Sequence, residues 1–284
     1  MSTIFQPYSF TPEQIDHRIR EMLSTEVDHT RMPMINRQLI GVIDLTTLEG
    51  SDTRQRIVLL CEKALSTGSI SQDQPSVAAV CVYSPFVALA KKVLENSGIK
   101  VACATGGFPS GQLPLVLKLQ EIQYALDQGA DEIDMVISRG KLMEGGENEV
   151  YDEIASIREI CRGVLLKVIL ETGELSSVQM IRRASELAIL AGADFIKTST
   201  GKIQPAATEP ATLVMLDTIK EYASATGKRI GIKPAGGIQQ PGQALRYYRL
   251  VHHILGDPWL NPRFFRIGAS RLLDNLLNVA KNTP

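Results

Sequence analysis

The sequence has no excess of charge of either sign. Its 284 residues include 30 lysines and arginines and 31 aspartates and glutamates, which gives a formal net charge of −1. A protein that holds a nucleic-acid backbone needs a broad positive field, so we expect no nucleic-acid partner. A phosphorylated ligand would have to be held by local groups.

Cysteine, histidine and long apolar runs are also scarce. The four cysteines form no C-x-x-C pair, and the four histidines form no H-E-x-x-H or H-x-H pattern, which disfavours a metal-dependent lyase or hydrolase. The first ten residues lack a secretory signal pattern, and the longest apolar runs are far shorter than the roughly 20 residues that cross a bilayer. We therefore expect a cytoplasmic protein that does not span a membrane.

What the sequence does contain is an alternation of short apolar runs and amphipathic stretches. Eight runs predict strands, at 39–45, 77–83, 100–105, 132–137, 164–170, 194–198, 229–233 and 264–267. Amphipathic stretches predict helices at 53–66, 85–96, 115–128, 177–191, 209–225 and 241–255. Eight such units in a chain of this length are typical of an α/β fold with one core, the (β/α)8 TIM barrel.

The residues before the first predicted strand form an extension. Thr11 and Pro12 are typical of a helix N-cap and first helical position, and apolar residues recur after them at helical spacing. We therefore predict a single domain with two parts: a helical extension at 1–37 that packs on the barrel, and the barrel itself at 38–284.

Two lysines stand where a barrel carries its chemistry, at the carboxyl ends of strands. Lys197 ends the sixth predicted strand and Lys233 ends the seventh. Burial and a neighbouring cation both disfavour an ammonium, and an amine freed in this way can attack a carbonyl to form a Schiff base. We expect Lys197 to be the nucleophile and Asp134, on strand four, to act with Lys233 as acid and base. For Asp134, a purely structural ion pair would need the same geometry, so that alternative stays open.

Small residues follow the last three predicted strands, at 199–202, 236–237 and 268–270. Backbone N–H groups of such loops can converge on an anion, and barrels often bind phosphate beside their last strands. Lys202 would add a positive charge. One glycine pair alone is more often a plain turn, but three such loops on consecutive strands favour a phosphate site.

Six segments together resemble deoxyribose-phosphate aldolases. They are DLTTL (44–48), GADEIDMVI (129–137), LLKVILETGEL (165–175), DFIKTSTGK (194–202), KPAGGI (233–238) and FRIGAS (265–270). The resemblance covers about residues 38–280. It implies a class I aldolase that reversibly cleaves 2-deoxy-D-ribose 5-phosphate to acetaldehyde and D-glyceraldehyde 3-phosphate, without a metal or organic cofactor.

The resemblance also implies roles for residues. Lys197 matches the Schiff-base lysine, and Lys233 and Asp134 match the pair that perturbs it and relays protons. The expected substrate-binding residues are Asp44, Thr46, Cys61, Lys167, Thr200, Gly201, Lys202, Gly236, Gly237, Gly268 and Ser270. Asp44 and Thr46 match positions that face substrate hydroxyls, and Cys61 matches a cysteine near the aldehyde site. From the residues alone, Cys61 on a predicted helix favours core packing instead.

The chain departs from this family in two places. Many members end in a tail with a terminal tyrosine that assists proton transfer, whereas this chain ends in Asn282, Thr283 and Pro284. Arg271 follows Ser270, where a small hydroxyl residue is common.

Two other functions remain as alternatives: a Schiff-base aldolase with a different carbonyl donor, and a catalytically silent barrel that binds a phosphosugar. The expected partners are small phosphosugars and aldehydes, with a homodimer as the candidate assembly.

Overall fold

The structure, a computed structural model, describes residues 4–68 and 75–282. Eight parallel strands lie in the order β7-β6-β5-β4-β3-β2-β1-β8. They are β1 (Ile43–Thr46), β2 (Ala79–Tyr83), β3 (Lys100–Thr105), β4 (Glu132–Val136), β5 (Leu165–Ile169), β6 (Phe195–Lys197), β7 (Gly231–Lys233) and β8 (Ile267–Ala269). Parallel bridges join Ile232 to Phe265 and Ala235 to Gly268, next to β7 and β8. These bridges bring the two edges of the sheet together, which confirms the (β/α)8 barrel.

Helices surround the strands. They are α1 (Pro12–Ser24), α2 (Met32–Gly41), α3 (Arg54–Thr67), α4 (Val87–Val93), α5 (Leu115–Asp127), α6 (Arg139–Met143), α7 (Glu147–Ile160), α8 (Val178–Leu190), α9 (Glu209–Thr226), α10 (Pro241–Leu255) and α11 (Leu272–Asn282). Side chains of Thr53, Ser177 and Thr208 accept backbone N–H groups at the starts of α3, α8 and α9. These N-caps explain why the three helices begin where the sequence predicted, to within one residue. None of the helices in the described ranges is both long and apolar enough to cross a membrane.

Two predicted strands were partly misplaced. The strand predicted at 39–45 begins only at Ile43, because Leu39 and Ile40 belong to α2 and are buried there with Ile35 at helical spacing. The last strand was predicted at 264–267 but spans 267–269. Apolar residues lie on both sides of each junction, interrupted only by Gly41 in the first and Arg266 in the second, so hydrophobicity alone could not show where helix or loop changes into strand.

The amino-terminal helix α1 is fixed to the barrel's outer helices. Thr11 accepts the Gln14 N–H and the Gln14 side chain accepts the Thr11 N–H, which confirms the predicted N-cap. Arg18 makes two hydrogen bonds to Asp217 of α9, at 2.6 and 2.9 Å. The predicted boundary between residues 37 and 38 falls inside α2 and remains a prediction.

The barrel interior has an apolar half and a charged half. Small residues of β2 and β3, namely Ala79, Cys81, Ala102 and Ala104, form a buried cluster with Leu48. Strand registry places Ala102 beside Glu132 and Ala104 beside Asp134 on the same face of the sheet. Since short side chains fill little of the barrel, this half leaves room for the long charged side chains of β4 to β7 and of Arg266, just before β8.

Gly231 is required by the packing of the barrel interior. A Cβ atom built on Gly231 would lie 2.4 Å from Cε1 of Phe195 on the neighbouring strand. We expect Gly231→Ala to lower the free energy of unfolding by about 1–3 kcal/mol, because a buried ring must move. Gly242→Ala is the matched control, since its Cβ would meet nothing within 4 Å. Denaturant unfolding of both variants tests this, and equal stabilities would contradict the packing argument.

Candidate active site

Three lysines converge on one aspartate inside the barrel. Strand registry pairs Asp134 with Lys167 and Lys197 with Lys233. Asp134 Oδ1 lies 2.7 Å from Lys167 Nζ, and Asp134 Oδ2 lies 2.9 Å from Lys197 Nζ and 2.6 Å from Lys233 Nζ. The structure therefore brings together the three residues that the sequence singled out for chemistry, Lys197, Lys233 and Asp134.

The cluster continues towards the amino ends of the strands. Asp44 Oδ2 lies 2.5 Å from Lys233 Nζ, and Asp44 Oδ1 lies 2.6 Å from Arg266 Nη1. Glu132 lies 2.7 Å from Arg266 Nη2 and 2.6 Å from Lys167 Nζ. We call the seven side chains of Asp44, Glu132, Asp134, Lys167, Lys197, Lys233 and Arg266 the charged cluster.

The charged cluster contains four cationic groups and three carboxylates. If all were ionised, a buried site would carry one uncompensated positive charge, which is costly away from water. Loss of one proton from one lysine would balance the cluster. The arrangement thus favours one neutral amine among the three lysines.

Lys197 is the lysine that gives up its proton most readily. Burial lowers its pKa, and the neighbouring Lys233 lowers it further, while Asp134 only partly opposes both. For Lys233, burial alone would lower the pKa, but Asp134 and Asp44 outweigh burial and raise it. The pKa of Lys167 is likewise raised, because Asp134 and Glu132 outweigh its burial.

Lys197 is also the most accessible of the three amines. Its side chain is 3% exposed, whereas the side chains of Lys167 and Lys233 are 0% exposed. The pKa of Asp134 is held well below its usual range, since its three lysine neighbours outweigh burial. Asp134 therefore lies between Lys197, whose pKa is lowered, and two lysines whose pKa is raised.

The cysteine beside this site is Cys81, and Cys61 lies elsewhere. Cys61 is on α3 in the main hydrophobic core, where burial raises its pKa to about 11. Cys81 is on β2 in the small apolar cluster, where burial raises its pKa and the charges of Asp134, Lys233 and Lys197 also act on it. The structure does not bring Cys61 to the lysines, in agreement with the core packing that its helical position favoured.

Glu171 holds the loop that follows Lys197. It adopts a left-handed backbone with φ 55° at the end of β5. Its carboxylate accepts the Thr200 hydroxyl at 2.5 Å and the Thr200 N–H at 3.2 Å. Burial raises the pKa of Glu171, and the two bonds from Thr200 oppose this. Through these two hydrogen bonds Glu171 holds Thr200, one of the predicted phosphate-binding residues, in place.

The predicted phosphate loops lie against one another. Gly201, Gly236 and Gly237 all have positive φ, and a Cβ on Gly236 would lie 2.8 Å from the Gly201 Cα. The close approach of the loops after β6 and β7 requires glycine at 236, and the positive φ at 201 favours glycine there. A Cβ on Gly268 would lie 3.3 Å from Lys233 Cε, so this glycine leaves space for the lysine instead.

The remaining predicted binding residues differ in accessibility. Ser270 is exposed and Lys202 is partly exposed, with Lys202 Nζ 2.9 Å from Glu49 Oε1. Thr46 is half-buried and donates its hydroxyl hydrogen bond to the Asp44 carbonyl at 2.8 Å. Asp44 is fully buried in the charged cluster, so it does not face an open pocket.

Sequence reasoning did not single out Glu132, Arg266, Cys81 or Glu171. Glu132 lies two residues before Asp134 and therefore on the same strand face, which is the signal that could have found it. The same alternation places Cys81 inward with Ala79.

In the described ranges, no group of three or more histidines, cysteines or carboxylates could hold a metal ion.

The protein is therefore a (β/α)8 barrel with a buried lysine of lowered pKa, Lys197, inside it. This combination is typical of a (β/α)8-barrel enzyme. Residues 38–251 match the family model described as DeoC/LacD family aldolase. The chain belongs to this aldolase family and is an aldehyde-lyase by that membership.

Individual relatives agree with the family. A human protein named deoxyribose-phosphate aldolase is 45% identical over 247 residues, which are 84% of this chain and 78% of the human protein. A Caenorhabditis elegans relative is 46% identical over 245 residues, which are 85% of this chain and 80% of that protein. A solved structure from Toxoplasma gondii ME49 superposes with a TM-score of 0.79 at 25% identity, covering 89% of this chain and 96% of that one.

Proposed function

We propose that this enzyme reversibly cleaves 2-deoxy-D-ribose 5-phosphate to acetaldehyde and D-glyceraldehyde 3-phosphate, with Lys197 as the Schiff-base lysine. The observation that carries the proposal is the charged cluster, in which Lys197 is the one lysine that combines a lowered pKa with a side chain that is not completely buried. Membership of the aldolase family and 45% identity to the human deoxyribose-phosphate aldolase support the substrate.

The first half of the reaction forms the Schiff base. The neutral amine of Lys197 attacks the aldehyde carbon C1 of the open-chain sugar, and the resulting carbinolamine loses water to give an iminium ion. The hydroxyl must leave as water, so a proton donor is needed. Lys233 is held protonated and lies 2.6 Å from Asp134, which in turn lies 2.9 Å from Lys197 Nζ. We assign to this Lys233–Asp134 pair both the removal of the proton from nitrogen after attack and the delivery of a proton to the hydroxyl that leaves as water.

The second half breaks the carbon–carbon bond. The Lys233–Asp134 pair accepts the proton of the C3 hydroxyl and later returns it to the enamine. The C2–C3 electron pair moves into the iminium, so glyceraldehyde 3-phosphate leaves and an enamine remains on Lys197. Protonation of that enamine on carbon gives the iminium of acetaldehyde. Water then hydrolyses it, which releases acetaldehyde and restores the amine. The role of the protein is to keep Lys197 uncharged at the start and to return protons at each step.

The phosphate end of the substrate would bind at the loops after β6, β7 and β8. Backbone N–H groups of Gly201, Gly236 and Gly237 are the proposed donors, with Thr200 held in place by Glu171. Ser270 and Lys202 would add a hydroxyl and a charge. We propose that Asp44 and Lys167 act on the site through the charged cluster, because both are fully buried.

Borohydride trapping tests the proposal directly. Incubation with acetaldehyde and borohydride, followed by peptide mapping, should place an ethyl group on Lys197, because only its amine is both neutral and accessible. Lys197→Met is the control, and it should give no adduct in the same peptide. Labelling of another lysine in the wild-type protein, or no labelling at all, would reject this mechanism.

Location, pathway and assembly are proposals as well. Cys61, Cys81, Cys103 and Cys161 are all free and buried, which fits a cytoplasmic protein in a reducing compartment. Within the cytoplasm, the proposed reaction would serve deoxyribonucleotide catabolism. We further propose a homodimer, which sedimentation equilibrium would distinguish from a monomer or a higher oligomer.

A further inference from the structure

A large cavity opens at the end of the barrel opposite the candidate active site. It has a volume of about 1640 Å³ and is lined by residues at or just before the starts of strands, such as Val42, Ala78, Lys100, Leu165 and Asp194. In a parallel barrel the starts and ends of the strands lie on opposite faces. The proposed reaction uses the other face, so nothing in the mechanism accounts for this cavity. We call it the lower basin.

The lower basin is strongly positive, although the whole chain is nearly neutral. Seven of its lining residues are arginines or lysines and two are acidic, Glu132 and Asp194. Glu132 is already paired with Arg266 and Lys167, at 2.7 and 2.6 Å. Asp194 is paired with Arg158 at 2.7 Å and also accepts the Leu166 N–H at 2.8 Å. Neither carboxylate is therefore available to neutralise the remaining cations.

Four of the lining cations have no ion pair within residues 4–68 and 75–282: Arg37, Lys100, Arg229 and Arg263. All four are exposed at the rim. The Arg229 guanidinium is held over the rings of Trp259 and Phe264, 5.1 and 5.7 Å from their centroids. Stacking of this kind restricts the arginine before any ligand arrives, which reduces the entropy that binding would cost.

The walls between these cations are apolar. Phe195, Phe264, Leu260 and Met34 contribute aromatic and aliphatic surface to the lining. Small-molecule sites typically enclose about 300–1,000 Å³ and combine apolar walls with a few well-placed polar groups. The lower basin is large enough for such a ligand. Because its rim carries four unpaired cations, a ligand with several negative charges would bind there most favourably.

We propose that the lower basin is a second binding site, which takes a phosphorylated organic anion of nucleotide size. The phosphates contact the guanidinium and ammonium groups of the rim, and the organic part lies on the partly exposed ring of Phe264. Guanidinium groups suit phosphate because they offer paired N–H donors in a planar fork. Glu132 and Arg266 belong both to the charged cluster and to the lining of the lower basin, but the four unpaired cations lie outside the charged cluster. A binding test on those cations therefore does not depend on the proposed cleavage reaction.

Isothermal titration calorimetry with ATP as the probe tests the proposal. ATP should bind wild-type protein, and adenosine, which lacks the phosphates, should bind far more weakly. Arg37→Gln combined with Arg263→Gln should weaken ATP binding about tenfold or more. Each substitution removes a charge-assisted hydrogen bond to phosphate, and the loss of one such bond is enough to raise Kd severalfold. Neither residue belongs to the charged cluster, so the rate of deoxyribose 5-phosphate cleavage should not change.

The matched control removes the same charge from another part of the surface. Arg20 and Lys220 are exposed and do not line the lower basin, so Arg20→Gln combined with Lys220→Gln should leave ATP binding as in the wild type. Absence of ATP binding, or equal weakening in both double variants, would overturn the proposal. Displacement of ATP by 2-deoxyribose 5-phosphate would also overturn it, because ATP would then occupy the active site. Binding of single-stranded RNA with no binding of ATP would reject the small-molecule site.

Discussion

Lys197→Met is expected to lower kcat/KM for deoxyribose 5-phosphate cleavage by about 10⁴-fold or more, because loss of a covalent nucleophile removes the whole reaction path. Methionine has nearly the shape of the lysine stem but cannot condense with an aldehyde. Steady-state cleavage, coupled to detection of glyceraldehyde 3-phosphate, measures the effect. Activity within tenfold of the wild type would exclude Lys197 as the nucleophile.

The same variant should fold with nearly unchanged stability. Without Lys197, the charged cluster keeps three cations, Lys167, Lys233 and Arg266, against three carboxylates. Its charges therefore balance, as they do in the wild type when Lys197 is neutral. We expect the thermal unfolding midpoint to move by no more than about 2–4 °C. A large fall in the midpoint would mean that Lys197 is normally protonated and serves as an ion-pair partner.

The positions of the two lysines to which we assign catalysis could be predicted from sequence because their signal is local. A lysine that closes a short apolar strand is rare and costly, and its position along the strand gives its position in the barrel. Predicting that Lys197 and Lys233 lie close together required only the order of the strands, without any knowledge of side-chain packing. Asp134 followed from the same rule, although its partners could not be ranked without distances.

The cysteine near the site could not be identified in this way. Cys61 and Cys81 both lie in apolar surroundings, and only the alternation of side chains along β2 places Cys81 inside the barrel. Arg266 was missed for a related reason: it lies before the start of β8, whereas the chemistry of a barrel is expected at the carboxyl ends of its strands. Its partners Asp44 and Glu132 lie on β1 and β4, far from Arg266 in the sequence. These ion pairs form only once the sheet has closed into a barrel and β8 lies beside β1.

Lys233→Met should affect both activity and stability. Lys233 Nζ lies 2.5 Å from Asp44 and 2.6 Å from Asp134, so its removal leaves two buried carboxylates short of a cation. Breaking a buried pair in this way typically costs about 3–5 kcal/mol. Loss of the proposed acid should also lower kcat/KM by about 10²–10⁴-fold. Denaturant unfolding and steady-state kinetics measure the two effects.

The pH profile separates the electrostatic role of Lys233 from simple loss of structure. In the proposed mechanism the neutral amine of Lys197 is the reactive form, so kcat/KM should rise with pH as that amine loses its proton. Lys233 lowers the pKa of Lys197, so in Lys233→Met this pKa should rise and the acid limb of the profile should move to higher pH. The charge count agrees, because three cations now balance three carboxylates only when Lys197 is protonated.

Lys118→Met provides the matched control for this last prediction. Lys118 is another fully buried lysine, with Nζ 3.0 Å from Glu153 Oε1, but it lies on α5 outside the charged cluster. Its loss should also destabilise the protein, because Glu153 is left buried without its cation. The acid limb of its pH profile should coincide with that of the wild type. If Lys233→Met also kept the wild-type limb, Lys233 would not be the group that keeps Lys197 uncharged, and burial alone would have to account for the reactive amine.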